Sequence, residues 1–146
     1  MFSRRNEVGD PLYMLLSNAV RRAFRKKTRL LGLIPWKSPT VTKANLDMVV
    51  IPLYEAVRDS ANSEEGLSFD DVKKAIYLLK PDYRFTTSPS TILNIAELVR
   101  ASRTGAITSS PEETMQRLNT AQYDSSSQYY RAVADAVFNL GLPVRR

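Results

Sequence analysis

Ser88-Pro89-Ser90-Thr91-Ile92-Leu93-Asn94-Ile95-Ala96-Glu97-Leu98-Val99-Arg100-Ala101-Ser102-Arg103-Thr104-Gly105 holds a helix start, a helix body and a helix stop in one unbroken run. Ser88 is a capping residue type set before a proline at the first helical position, where the missing N–H of Pro89 has no intrahelical partner to lose. Ile92, Ile95, Ala96 and Val99 recur at spacings of three and four, the period of one helix face. Gly105 readily takes the left-handed conformation that closes a helix.

The same punctuation recurs on both sides of this segment. Asp10-Pro11 and Ser110-Pro111 repeat the start; Ser110 with Glu113 forms a capping box, and Ser68 with Asp71 a weaker version of it. Gly32 and Gly141 repeat the stop, while Pro81 blocks continuation past Lys80. Further stripes at helical spacing run through Phe69, Val72, Ile76 and Leu79, and through Tyr130, Val133, Val137 and Leu140. These signals predict helices over 11–31, 43–61, 69–80, 89–103, 111–121 and 126–140. Period-two alternation is scarce, which argues against a sheet. Pro52 removes a backbone hydrogen bond and disfavours helical geometry at Ile51, so the second helix is expected to be kinked or split there.

The expectation is therefore an all-α fold: a compact bundle of about six short helices, forming a single domain over 1–146 with a basic N-terminal arm and first helix at 1–31. The 146-residue length and the 43% hydrophobic content suit one packed core. Apolar runs such as Met48 to Leu53 fall far short of the roughly 20 residues needed to cross a bilayer. Leu33-Ile34-Pro35-Trp36 is too apolar for a solvated connector, and Trp36, the sole tryptophan, is expected to plug the core or a groove.

There is no cysteine and no histidine. Thiolate chemistry, disulfides and cysteine-based metal sites are excluded, and the usual general base at neutral pH and the commonest metal ligand are missing. Asp70-Asp71, Glu64-Glu65 and Glu112-Glu113 resemble paired carboxylates, yet each lies at or before a helix start, where acids favour the helix dipole. Five scattered glycines make no phosphate cradle. No enzymatic activity and no cofactor are expected.

Charge is the feature that stands out. Arg4, Arg5, Arg21, Arg22, Arg25, Lys26, Lys27 and Arg29 face only Glu7 and Asp10 in residues 1–29, so this segment carries the entire net charge of +6. Residues 30–146 hold 13 bases and 13 acids. On a helix of about 100° per residue, Leu12, Leu16, Ala19, Val20, Ala23, Phe24 and Leu30 fall on one arc. Arg21, Arg25 and Arg29 project from the opposite side with Arg22 beside them, a stripe roughly 1.5 nm long that is commensurate with several phosphates in a row. Like charges at i and i+4 cost about 0.2–0.5 kcal/mol per pair, a cost with no compensation inside the helix. Basic residues in a last turn favour the helix dipole, which accounts for Lys26, Lys27 and Arg29 but less well for Arg21 and Arg22.

Three partners fit this pattern. RNA or another polyanion suits the excess of arginine over lysine, because the guanidinium binds phosphate bidentately. An anionic membrane surface suits a basic amphipathic helix in a peripheral, matrix-like module. An acidic protein would suit a scaffold. The apolar arc of the first helix is broad enough to be needed for the core, which favours RNA over lipid, although Met14 lies among the arginines. Tyr83, Arg84 and Phe85 interleave a cation between aromatics and form a candidate secondary contact. Arg145 and Arg146 would extend the patch if the chain ends meet, and a homo-oligomer is expected. The first residues have the composition of a mitochondrial presequence, but Glu7, Asp10 and Pro11 count against it.

Overall fold

The computed structural model describes residues 10–30, 43–61, 63, 66–79 and 88–145; the side chains of 24–30 and 43 lie outside that description. Among the described residues the chain forms six helices packed together and no strand: α1 (Pro11–Leu30), α2 (Lys43–Asp59), α3 (Phe69–Leu78), α4 (Pro89–Thr104), α5 (Pro111–Thr120) and α6 (Ser126–Asn139). Pro52 sits inside α2 as a single uninterrupted element, so the split alternative is corrected. Gly105 and Gly141 both adopt positive φ, 81° and 76°, as helix stops. Gly32, Pro81 and Trp36 lie outside the described residues.

The caps differ from expectation in their order of strength. Ser68 and Asp71 make the complete capping box: the Ser68 hydroxyl accepts from the Asp71 N–H at 3.2 Å, and Asp71 Oδ2 accepts from the Ser68 N–H at 3.0 Å. Ser110 accepts from the Glu113 N–H and donates its hydroxyl to Glu112, but the Glu113 carboxylate returns no bond to the Ser110 N–H, so this box is half made. Ser88 makes no side-chain cap bond, so Pro89 alone marks that start. Asp10 caps α1 by accepting from the Leu12 N–H at 2.8 Å.

α4 is the centre of the bundle, touching α2, α3, α5 and α6, while α1 packs on α2 and α3. Because neighbours surround α4, every residue from Thr91 to Val99 is buried, including Asn94 and Glu97. The expected Ile92/Ile95/Ala96/Val99 stripe is thus only part of its buried surface. Asn94 and Glu97 are both paired. Glu97 accepts from Arg100 Nε at 2.7 Å, and Asn94 exchanges two hydrogen bonds with the backbone of Arg145. In α6 the stripe is shifted: Val133 and Val137 are buried with Tyr129, whereas Tyr130 is half-buried and Leu140 exposed.

α1 is joined to α2 by two tyrosines. Tyr13 donates to Asp47, Tyr54 donates to Asp10 Oδ2 at 2.7 Å, and the rings meet edge to face at 6.4 Å. Burial first, then the facing Asp10 carboxylate, holds the Tyr54 hydroxyl above the ordinary phenol pKa. A proton held more tightly in the folded chain stabilises it below the unfolded pKa, about 10, and this contribution is lost as pH rises through the folded value. Thermal melts at increasingly alkaline pH should therefore fall more steeply for the wild type than for Tyr54→Phe, which lacks the titrating group. At neutral pH the variant should be less stable by about 1 kcal/mol, the net worth of a lost hydrogen bond. Parallel alkaline slopes would contradict this account.

Candidate functional site

The site begins with how α1 divides its faces. Tyr13, Leu16, Ser17 and Val20 are buried, and Leu12, Ala19 and Ala23 pack half-buried beside them. Met14, Leu15, Asn18, Arg21 and Arg22 are exposed. The expected apolar arc is therefore centred closer to Tyr13 and Ser17 than its aliphatic members indicated. Met14 and Leu15 are 50% and 49% exposed, so the outer face of α1 is apolar in its first half and basic beyond. Residues seven apart share a line along a helix, which places Met14 with Arg21 and Leu15 with Arg22.

Arg25, Lys26, Lys27 and Arg29 continue the same helix, with side chains outside the description. Arg4 and Arg5, the Tyr83-Arg84-Phe85 contact, Glu64-Glu65 and Arg146 lie outside the described residues altogether. Among the described residues Arg21 and Arg22 meet no carboxylate, as is true of Arg117 and Arg131, whereas Arg58, Arg100, Arg103 and Arg145 pair with Asp59, Glu97, Asp71 and Glu97. Arg21 and Arg22 differ in being adjacent on one helix. Arg145 is thereby drawn toward α4 by Glu97 rather than left free to enlarge the basic stripe.

Arg21 and Arg22 do not face the same surroundings. Arg22 stands with Leu15, Asn18, Ala19 and Ala23 on one wall of a groove of about 640 Å³ that runs between α1 and α5 over α3. Its floor and far wall are Phe69, Ile76, Leu78, Leu79 and Met115, with Lys73, Tyr77, Glu112, Gln116 and Asn119 around them. Two bonds hold α5 beside α3 here: Lys74 pairs with Glu112 at 2.9 Å, and Asn119 donates to the Leu78 carbonyl at 2.9 Å. Glu112 lies below the usual carboxylate range chiefly because the Lys74 ammonium hydrogen-bonds it. Arg21 is not part of this groove.

The acidic pairs are structural where they are described. Asp70 and Asp71 occupy the first turn of α3, and Glu112 and Glu113 that of α5. Asp71 is also bound by Arg103, and Glu112 by Lys74. Among the described residues no three His, Cys, Asp or Glu side chains gather as a metal site, and no helix is long and apolar enough to cross a membrane. The sequence reading missed Lys73 and Tyr77. They sit beside the Phe69/Val72/Ile76 stripe of α3, whose spacing marks a buried face but not which flank stays uncovered.

No protein-family model matches the chain, and no curated protein or solved structure is similar to it.

Proposed function

We propose that this protein is a non-enzymatic helical module that binds RNA or another polyanion through the basic face of α1. The observation that carries the reading is that Arg21 and Arg22 are exposed without a carboxylate partner among the described residues, in a helix that continues into Arg25, Lys26, Lys27 and Arg29. Unpaired guanidinium groups are available to phosphate, whereas a paired one must first break its ion pair. Binding of this kind follows the backbone rather than the base sequence. Accessory or structural roles, with assembly into an oligomer, suit such a module.

One observation favours a second reading. Half-exposed Met14 and Leu15 precede the arginines on the same face, which supplies the apolar surface that a peripheral helix inserts below anionic headgroups. Titration of a labelled single-stranded RNA and of phosphatidylserine-containing vesicles separates the two. Arg21→Glu/Arg22→Glu should weaken RNA binding by about tenfold or more at low salt, since two phosphate contacts become repulsive. RNA affinity that survives this change contradicts the proposal. Vesicle binding that depends on Arg21, Arg22, Met14 and Leu15, without RNA affinity at low salt, would replace it with the membrane reading.

A further inference from the structure

The groove over α3 has the dimensions and charge of a receptor for one more helix. Its walls run from Leu15 to Ala23 on α1 and from Glu112 to Asn119 on α5. At about 1.5 Å per residue these are lengths of about 12 and 10 Å. Anchors at i, i+4 and i+7 of an amphipathic helix span about 10 Å, so three apolar side chains fit between the walls. The surface they would meet is apolar: exposed Leu15 and half-buried Ala19, Ala23, Phe69 and Leu78, over a floor closed by the buried Ile76, Leu79 and Met115. Tyr77, 74% exposed at the edge, is placed to close over an anchor.

The charges around this apolar strip are unequal. Glu112 is neutralised by Lys74, whereas Arg22 and Lys73 have no carboxylate partner among the described residues. A ligand with carboxylates flanking its apolar anchors would meet these two cations and, among the described residues lining the groove, no unpaired acid, while a basic ligand would be repelled by both. We infer that this groove docks an acidic amphipathic helix of a partner protein, with its anchors between Leu15 and Ala19 of α1 and Phe69 and Leu78 of α3 and its carboxylates against Arg22 and Lys73. This docking shares Arg22 with the polyanion reading but does not require it, because Lys73 and the apolar lining of the groove take no part in that reading.

The test is selection of a display library on the folded protein. Its members are roughly 16-residue helices with apolar residues fixed at i, i+4 and i+7 and the flanking positions randomised among Asp, Glu, Lys and Arg. Enrichment of acidic flanks is expected, and the selected peptides should bind Lys73→Glu/Tyr77→Ser about tenfold or more weakly than wild type. Both substitutions are at exposed positions, where the fold tolerates change. No enrichment, basic flanks, or peptides that bind the variant equally well would overturn the inference. So would sedimentation showing a wild-type dimer that the variant dissolves, since the occupant would then be a second copy of this chain. RNA titration of the same variant keeps the two readings apart: intact RNA binding alongside failed peptide selection refutes the docking alone.

Discussion

Replacing Asp71 with alanine is expected to lower the free energy of unfolding by about 2–4 kcal/mol, the combined size of a lost helix cap and lost charge-assisted hydrogen bonds. Asp71 is 1% exposed, yet it accepts three N–H groups. Oδ1 takes Arg103 Nε at 3.1 Å, and Oδ2 takes Arg103 Nη2 at 2.9 Å and the Ser68 backbone at 3.0 Å. One carboxylate thus closes the N-terminus of α3 and ties it to the last turn of α4. The Arg103 side chain is 43% exposed and also donates to the Gly66 carbonyl, so it can turn to water when Asp71 is removed. That escape keeps the cost below that of stranding a fully buried cation. Urea unfolding of Asp71→Ala, Arg103→Ala and the double variant should show the midpoint shift with an unchanged slope and a coupling of about 0.5–3 kcal/mol between the sites. A loss below about 1 kcal/mol for Asp71→Ala would show that water replaces the bridge at little cost.

Reversing Arg21, Arg22, Arg25 and Arg29 together to glutamate should lower affinity for single-stranded RNA by about a hundredfold or more at low salt and flatten its salt dependence. Each reversal removes two charges, which takes the 1–29 segment from +6 to −2. Four phosphate contacts on a single strand give a slope of about −2.8 in log affinity against log salt. Wild-type binding should accordingly weaken by about fiftyfold between about 50 and 200 mM salt. The matching glutamine variant separates charge from helix formation, because Gln and Arg have nearly equal helix propensity. It should lose the slope while circular dichroism stays unchanged. A glutamate variant with the wild-type slope would place the phosphate contacts elsewhere on the molecule.

The six helices were legible because their signals are local. Pro11, Pro89 and Pro111 begin α1, α4 and α5, and Gly105 and Gly141 stand just past the ends of α4 and α6. A cap or a proline acts on groups within about four residues, so the chain order alone contains the whole interaction. The Ser68/Asp71 box was legible for the same reason, but its greater strength was not. Arg103 is far along the chain and reaches Asp71 only because α3 packs on α4.

For the candidate site the division is similar. The concentration of charge in residues 1–29 and the helical period of Arg21, Arg25 and Arg29 are properties of the sequence. The fold decides that Leu15 is uncovered beside Met14 and that Arg22 belongs to a groove while Arg21 does not. Exposure of a helix face depends on which neighbours pack against it, and a wheel drawn from one helix contains none of them.

The amino-acid sequence by itself determined an all-helical chain, the places where its six described helices begin, and the confinement of its net charge to one end, since these rest on backbone sterics, capping, apolar periodicity and composition. Only the tertiary structure decided that α4 is wrapped on all sides, that Asp71 and Glu97 are buried yet paired, and that α1 and α5 stand apart over α3 to leave an apolar groove beside two cations that meet no carboxylate among the described residues. Those outcomes depend on contacts between residues distant in the chain, formed when burial of apolar surface brings the helices together.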